Sequence, residues 1–303
     1  MRFFKGLLSS LIIIAMFFCA GCSTNKAPAE DLTLKIGVMP AVDSAPIFLA
    51  HKKGYFEELG LKVEVQVYTN AMDRQGALQS GALDGAMTDV IALLNNVENG
   101  FNIKVTTSTD GVFPFLVKED ISGKTTLTAG MMEVSITNYL SDRCLSEQYT
   151  LDKVYINDIP SRLEMISKGT LDLAVIPEPM ASQGELNGLT KLIIENTDAY
   201  SPDVMVFTQN AIDKKAEALK RFHQAYNKAV DEIAQDDSEA RDILIEVLSL
   251  KPEIKEKIIM PRYHKARVPS EEYLNGVMDW NEKVLKKKIT LKYEDLVEGK
   301  FVD

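Results

Sequence analysis

The sequence predicts an α/β protein of two similar lobes that face each other across a cleft, with helices toward its C-terminal end. Three observations carry this expectation. One pattern occurs twice, 88 residues apart: residues 74–87 (RQGALQSGALDGAM) and 162–175 (RLEMISKGTLDLAV) share Arg, Gly, Asp and Ala at matching positions and agree in kind at the apolar ones. Two copies suggest two lobes, whereas a solenoid needs at least three units. The rival explanation is coincidence, because helix, glycine and strand follow one another in any α/β chain. Strands also alternate with helices around both copies, which implies parallel pairing through right-handed crossovers. Beyond Ala211 the period is helical only.

The elements follow in order. Residues 34–39 alternate and stop at Pro40, a first strand. Residues 45–58 carry Ile47, Phe48, Leu49, Tyr55 and Phe56 at helical spacing, with Gly60 as a left-handed cap. Residues 61–67 (LKVEVQV) have strict period two, a second strand. A helix over 73–80 is capped by Gly81, a strand runs over 83–88, a helix over 90–99 and a strand over 103–108. The second half repeats the order: strand 125–129, helix 135–147, strand 153–156, helix 161–168, strand 171–176. Residues 204–208 form a strand that returns to the first lobe. Leu219, Phe222, Ala225, Tyr226, Ala229, Val230 and Ile233 then make the apolar stripe of a core-facing helix. A further helix begins after Ser270 and carries Trp280.

The N-terminus reads as a leader. Arg2 and Lys5 precede an apolar run over residues 7–18, short for a membrane span, which ends in Cys19-Ala20-Gly21-Cys22. Small residues before a cysteine resemble a bacterial lipobox, with Cys22 the lipidated new N-terminus; Cys19 is an irregular residue for its place, and the alternative is an ordinary secretory signal cut nearby. The expected division is a signal peptide over 1–21, a polar tether over 22–32, one lobe from 33–109 and 205–303, and the other from 110–204.

Composition excludes several classes. Without Arg2 and Lys5 the chain carries 32 basic and 44 acidic residues, a net charge of −12, which disfavours nucleic acid and anionic lipid as electrostatic partners. Cys144 is the one cysteine left beyond the lipobox, so no intrachain disulfide is expected. His51, His223 and His264 are far apart and lack metal-ligand spacing. Neither metal nor cofactor is expected. Walker, Gly-x-Gly-x-x-Gly, Gly-x-Ser-x-Gly and His-Glu-x-x-His motifs are absent from the sequence, while a triad of dispersed residues stays open.

Ligands of open parallel sheets sit at the carboxyl ends of the strands. That rule selects Asp43 and Ser44 after the first strand, Asn70 after the second, and Thr88 and Asp89 after the first copy of the repeat. In the second lobe it selects Glu133, Ser135, residues 157–160 and Glu178, and Arg162, in the helix that follows 157–160, is added as the nearby cation. Ser44, Thr88, Asp89 and Ser135 equally fit plain helix N-caps.

The stretches at 54–65 (GYFEELGLKVEV) and 77–84 (ALQSGALD) resemble the first lobe of ABC-transporter solute-binding proteins of the nitrate, sulfonate, taurine and thiamine-pyrimidine type. Residues 136–142 (ITNYLSD), 159–165 (IPSRLEM), 176–179 (IPEP) and 293–297 (YEDLV) are similar to a branch of the same group. The resemblance implies a type II periplasmic-binding-protein fold with a hinged cleft, a monomer held outside the cytoplasm by its lipid, and delivery of a small solute to an ABC permease and its ATPase. It does not identify the solute. Asp43, Asp89, Glu133 and Glu178 crowd the expected mouth, with Arg162 as the nearby cation, and ionised carboxylates in a closing cleft repel an anion. A thiamine-precursor pyrimidine is therefore expected ahead of sulfonate, taurine or nitrate, unless the acids cap helices and face away.

Closure is expected about residues 106–110 and 201–207. Two rivals remain: a pyrimidine- or menaquinone-pathway-like enzyme on the same fold, and a surface sensor. The eukaryotic pyrimidine synthases carry a cysteine-rich segment that this chain lacks, and such enzymes are cytosolic whereas this chain has an export signal.

Overall fold

The computed structural model describes residues 31–194 and 202–302. The leader, Cys22, most of the tether and Ser201 of the expected hinge lie outside the described residues. The first lobe runs β1 (Thr33–Val38), α1 (Ala45–Lys52), α2 (Tyr55–Glu58), β2 (Lys62–Val67), α3 (Ala71–Gln79), β3 (Gly85–Asp89), α4 (Val90–Glu98) and β4 (Ile103–Ser108). The chain crosses to β5 (Phe115–Val117), β6 (Thr126–Met131), α5 (Ile136–Leu145), β7 (Thr150–Tyr155), α6 (Ile159–Ser167), β8 (Leu173–Val175), α7 (Met180–Leu186) and β9 (Thr190–Leu192). It returns by β10 (Asp203–Thr208) and ends in α8 (Gln209–Lys214), α9 (Ala216–Ile233), α10 (Ser238–Val247), α11 (Glu271–Leu285) and α12 (Tyr293–Leu296).

Each lobe holds a five-stranded sheet, ordered β2-β1-β3-β10-β4 and β7-β6-β8-β5-β9. The two orders are the same pattern. β1 pairs in parallel with β2 and β3, and β6 with β7 and β8. The fourth strand of each sheet is antiparallel to both neighbours, which corrects the expectation of purely parallel pairing. The cause is connectivity. β5 and β10 are the strands that arrive from the other lobe; they enter at the cleft end and run away from it, while the crossover strands run toward it.

The internal repeat has a structural counterpart. Asp84 and Asp172 each hold the strand beside them by two bonds. Asp84 accepts from Lys35 N at 2.8 Å and donates its own N–H to Lys35 O; Asp172 does the same with Thr128, also at 2.8 Å from its N. Gly37 and Gly130 occupy matching places, where a Cβ would meet Leu83 Cδ1 at 2.7 Å and Leu171 Cδ1 at 2.5 Å. Those two leucines are equivalent in the repeat.

The structure departs from the sequence reading in three places. The helix expected over 45–58 breaks at Gly54, whose φ of +73° suits glycine. β5, α7 and β9 were not expected, the two strands having three residues each. The C-terminal region is not continuously helical: residues 258–270 run back along the lobe junction, where Tyr263 Oη donates to Val42 O at 2.6 Å and His264 N to Asp110 Oδ2 at 2.8 Å.

α9 places its stripe against β1, β10 and α1 in the main core. Full burial of each large side chain there is worth roughly 1.5–3 kcal/mol. α5 belongs to the second lobe by its strands, yet Ile136, Tyr139 and Leu140 pack into the core built by α4 and α11 of the first.

Candidate functional site

The carboxyl ends of the crossover strands point at each other and enclose a cavity of about 110 Å³. The first lobe contributes Asp43, Arg74, Met87, Thr88, Asp89 and Asp203. The second contributes Met132, Ser135, Ile136, Thr137, Ile159 and Arg162, and Phe113 of the crossing closes one side. A roomier hollow of about 260 Å³ lies beside the crossing, but its lining has no charged side chain. The smaller of these two is lined by charged groups from both lobes, and convergent polar groups are the usual mark of a ligand site.

Each polar side chain is there for a local reason. β1 ends at Val38, before Met39 and Pro40, and the next turn buries Asp43; Val42 N donates to Glu178 O at 2.9 Å and so ties this turn to the second lobe. Asp89 ends β3 and caps α4, accepting from Ala92 N at 2.8 Å. Ser135 caps α5 by accepting from Thr137 N at 3.2 Å. Arg74 and Arg162 occupy the same place in the two copies of the repeat, each in the helix that follows an edge strand of its sheet, β2 or β7. Arg74 donates from Nη2 to Thr88 Oγ1 at 3.1 Å, and Arg162 from Nη1 to Val175 O at 3.0 Å.

Burial sets the electrostatics. It pushes the Asp43 carboxyl up to about 7 against the pull of the Arg74 charge. It raises Asp89 as well, opposed by the Ala92 N–H, the Arg74 charge and the N–H of Ile136. Asp203 is driven well above the usual carboxylate range by burial and by the charges of Asp43 and Asp89. Burial lowers Arg74, while Asp89, Asp203 and Asp43 all hold its charge in place. Arg162 is lowered by burial to about 10, with Asp158 as the acid that supports it. The first lobe thus presents a guanidinium among three carboxylates; the second presents a guanidinium with weak compensation. Asp43 Oδ1, Arg74 Nε and Arg162 Nε are buried without a hydrogen-bond partner among the described residues. Buried polar atoms are normally paired, so these three call for a ligand or water.

Of the residues expected from sequence, Asp43, Thr88, Asp89, Ser135 and Arg162 line this cavity. Ser44, Asn70, Glu133 and Glu178 do not. Ser44 is buried with its Oγ donating to Met39 O at 2.8 Å. Asn70 is exposed and caps α3 through Met72 N at 2.7 Å. Glu133 is exposed. Glu178 is fully buried, but it faces away from the cavity: Oε1 accepts from Lys191 Nζ at 2.9 Å, and Oε2 from Ser182 N at 3.0 Å and Ser182 Oγ at 2.8 Å. The expected mouth of four acids and one cation is corrected to three aspartates and two arginines. Sequence reasoning missed Arg74 and Asp203. The repeat was the available signal for Arg74, since it aligns that residue with Arg162.

The lining contains neither His nor Cys. His223 is buried in the first lobe, bonded to Leu219 O and Thr106 Oγ1, and burial lowers it to about 4. Among the described residues, no helix is long and apolar enough to cross a membrane.

Comparison with known proteins agrees with this architecture. The chain is similar to the alkanesulfonate-binding protein SsuA of Xanthomonas axonopodis pv. citri bound to MOPS, with a TM-score of 0.71 and 16% identity over 89% of this chain and 99% of that one. It is 21% identical to a putative ABC transporter periplasmic binding protein of Brachyspira hyodysenteriae, over 79% of this chain and 77% of the other. It is also 21% identical to a 4-amino-5-hydroxymethyl-2-methylpyrimidine phosphate synthase of Saccharomyces cerevisiae, over 84% and 81% of the two chains. The fold is that of the periplasmic binding proteins. Residues 27–249 match the NMT1-like family, and the protein belongs to that family.

Proposed function

We propose that this protein is the solute-binding component of an ABC importer, held outside the cytoplasm by lipid on Cys22, and that it closes its two lobes on a small polar solute for delivery to the permease and ATPase. The observation that carries the reading is the pair of equivalent arginines, Arg74 and Arg162, buried on opposite walls of one cavity, each with an Nε that no described residue bonds. Closure would turn on the segments where Thr109 N donates to Asp203 O at 2.9 Å.

The favoured solute is a thiamine-precursor pyrimidine, ahead of sulfonate, taurine or nitrate. Three aspartates on one wall suit the N–H donors of an amino group, and a ring nitrogen suits Arg162 on the other. Hydrogen bonds to a charged partner are each worth about 1.5–3 kcal/mol. Mass spectrometry of whatever co-purifies with the chain, followed by calorimetry with that compound, tests the assignment. An alkanesulfonate as the bound species would overturn the solute class but not the importer role. The likeness to the yeast synthase supports a second, enzymatic reading, which conversion of a bound pyrimidine would favour.

A further inference from the structure

Two helices aim their N-termini at one point of the cavity from opposite lobes. α4 starts after Asp89 in the first lobe, and α5 starts after Ser135 in the second. Free N–H groups at a helix start attract an anion. The Asp89 carboxylate stands at this point: it accepts from Ala92 N of α4 at 2.8 Å and lines the cavity together with Ser135 and Ile136, where α5 begins. The N–H of Ile136 and the buried Arg74 guanidinium favour its charge, against burial, which is the larger influence and raises the carboxyl. Across the same cavity Arg162 is 1% exposed with an unpartnered Nε, so a ligand is called for beside this seat.

We propose that Asp89 is an anion built into the chain: its carboxylate fills the seat between α4 and α5 and makes this residue the determinant that excludes anionic solutes. An N-cap needs only its own helix, and Ala92 satisfies that need. The place of Asp89 in the cavity lining with Ser135 and Ile136 of the other lobe goes beyond capping. A sulfonate or nitrate entering the cavity has to face the Asp89 carboxylate, whereas an N–H donor finds an acceptor there. The assignment rests on the cleft being the solute site.

The test is calorimetry of the full chain and of Asp89→Asn and Asp89→Ser, titrated with methanesulfonate, nitrate and a hydroxymethyl aminopyrimidine. Asn and Ser both cap helices well, so both variants remove the charge and keep α4 capped. Thermal melts of the two variants establish that they are folded. The expected result is negligible anion binding by the wild type and a gain of tenfold or more for methanesulfonate in both variants. Micromolar methanesulfonate binding by the wild type overturns the proposal without any variant. So does the lack of a gain in folded Asp89→Asn and Asp89→Ser. Failure of the aminopyrimidine to bind the wild type, with the anion gain intact, would instead overturn the solute assignment and leave the role of Asp89 standing.

Discussion

Trp280 of α11 donates its Nε1–H to the Asp142 carboxylate of α5 at 3.0 Å, and so ties the C-terminal helices of the first lobe to the second lobe. Tyr139, one turn earlier on α5, meets the indole edge to face at 5.4 Å between ring centroids. Lys153 holds Asp142 from the far side at 2.7 Å. The chain has one tryptophan, and it sits where the lobes meet.

Trp280 should therefore report lobe movement. A saturating solute is expected to change its emission intensity or wavelength, while Asp142→Ala should weaken solute binding about fivefold, the worth of one hydrogen bond of about 1 kcal/mol. Fluorescence titration checks both. Unchanged emission at saturation would argue against movement at this contact.

Asp43 gives a pH signature. Burial pushes its carboxyl up to about 7, above the usual carboxylate range of about 4 that it has in the unfolded chain. Between the two the folded chain holds a proton that the unfolded chain releases, so this group's contribution to stability falls as pH rises through that window. Melting temperature of the ligand-free protein should drop between pH about 5 and about 7.5, and Asp43→Asn should flatten the slope. Asp89 and Asp203 are shifted in the same direction, so part of the slope should remain. A slope unaltered by Asp43→Asn would contradict the assignment.

Glu178 should behave as a structural residue. Glu178→Gln leaves Lys191 buried with a weakened partner, and breaking a buried pair costs about 3–5 kcal/mol; Glu185 at 3.2 Å from the same ammonium reduces the loss. A lower melting temperature is expected, with solute affinity changed by less than threefold. A tenfold loss of affinity at unchanged stability would place Glu178 in the site after all.

Cys22→Ala should leave an unprocessed or lipid-free form, read by mass spectrometry of the mature N-terminus. An N-terminus elsewhere, without acyl mass, would remove the anchor from the account.

What could be read from the sequence was what local chemistry decides. The period of β2, the glycine caps at Gly60 and Gly81 and the Asp89 and Ser135 caps depend on neighbours a few residues away, and the structure has them where the pattern put them. β5 and β9 are too short to show a period, and their antiparallel place follows from a chain crossing that no local pattern records. The strand-end rule finds loops but not directions. It selected Glu178, whose partner Lys191 lies thirteen residues on, and passed over Arg74, which stands inside a helix and reaches back to Thr88.

The central claim is solute capture between the lobes, and Arg162 tests it most directly. This guanidinium is 1% exposed, and burying a charge with so little compensation costs stability unless a ligand completes it. Calorimetric titration of the wild type and Arg162→Met with the co-purified solute, beside melting curves without it, is the decisive measurement. The wild type is expected to bind one to one, Arg162→Met to lose tenfold or more, and the empty variant to melt at or above the temperature of the wild type. Undiminished binding by Arg162→Met would contradict it.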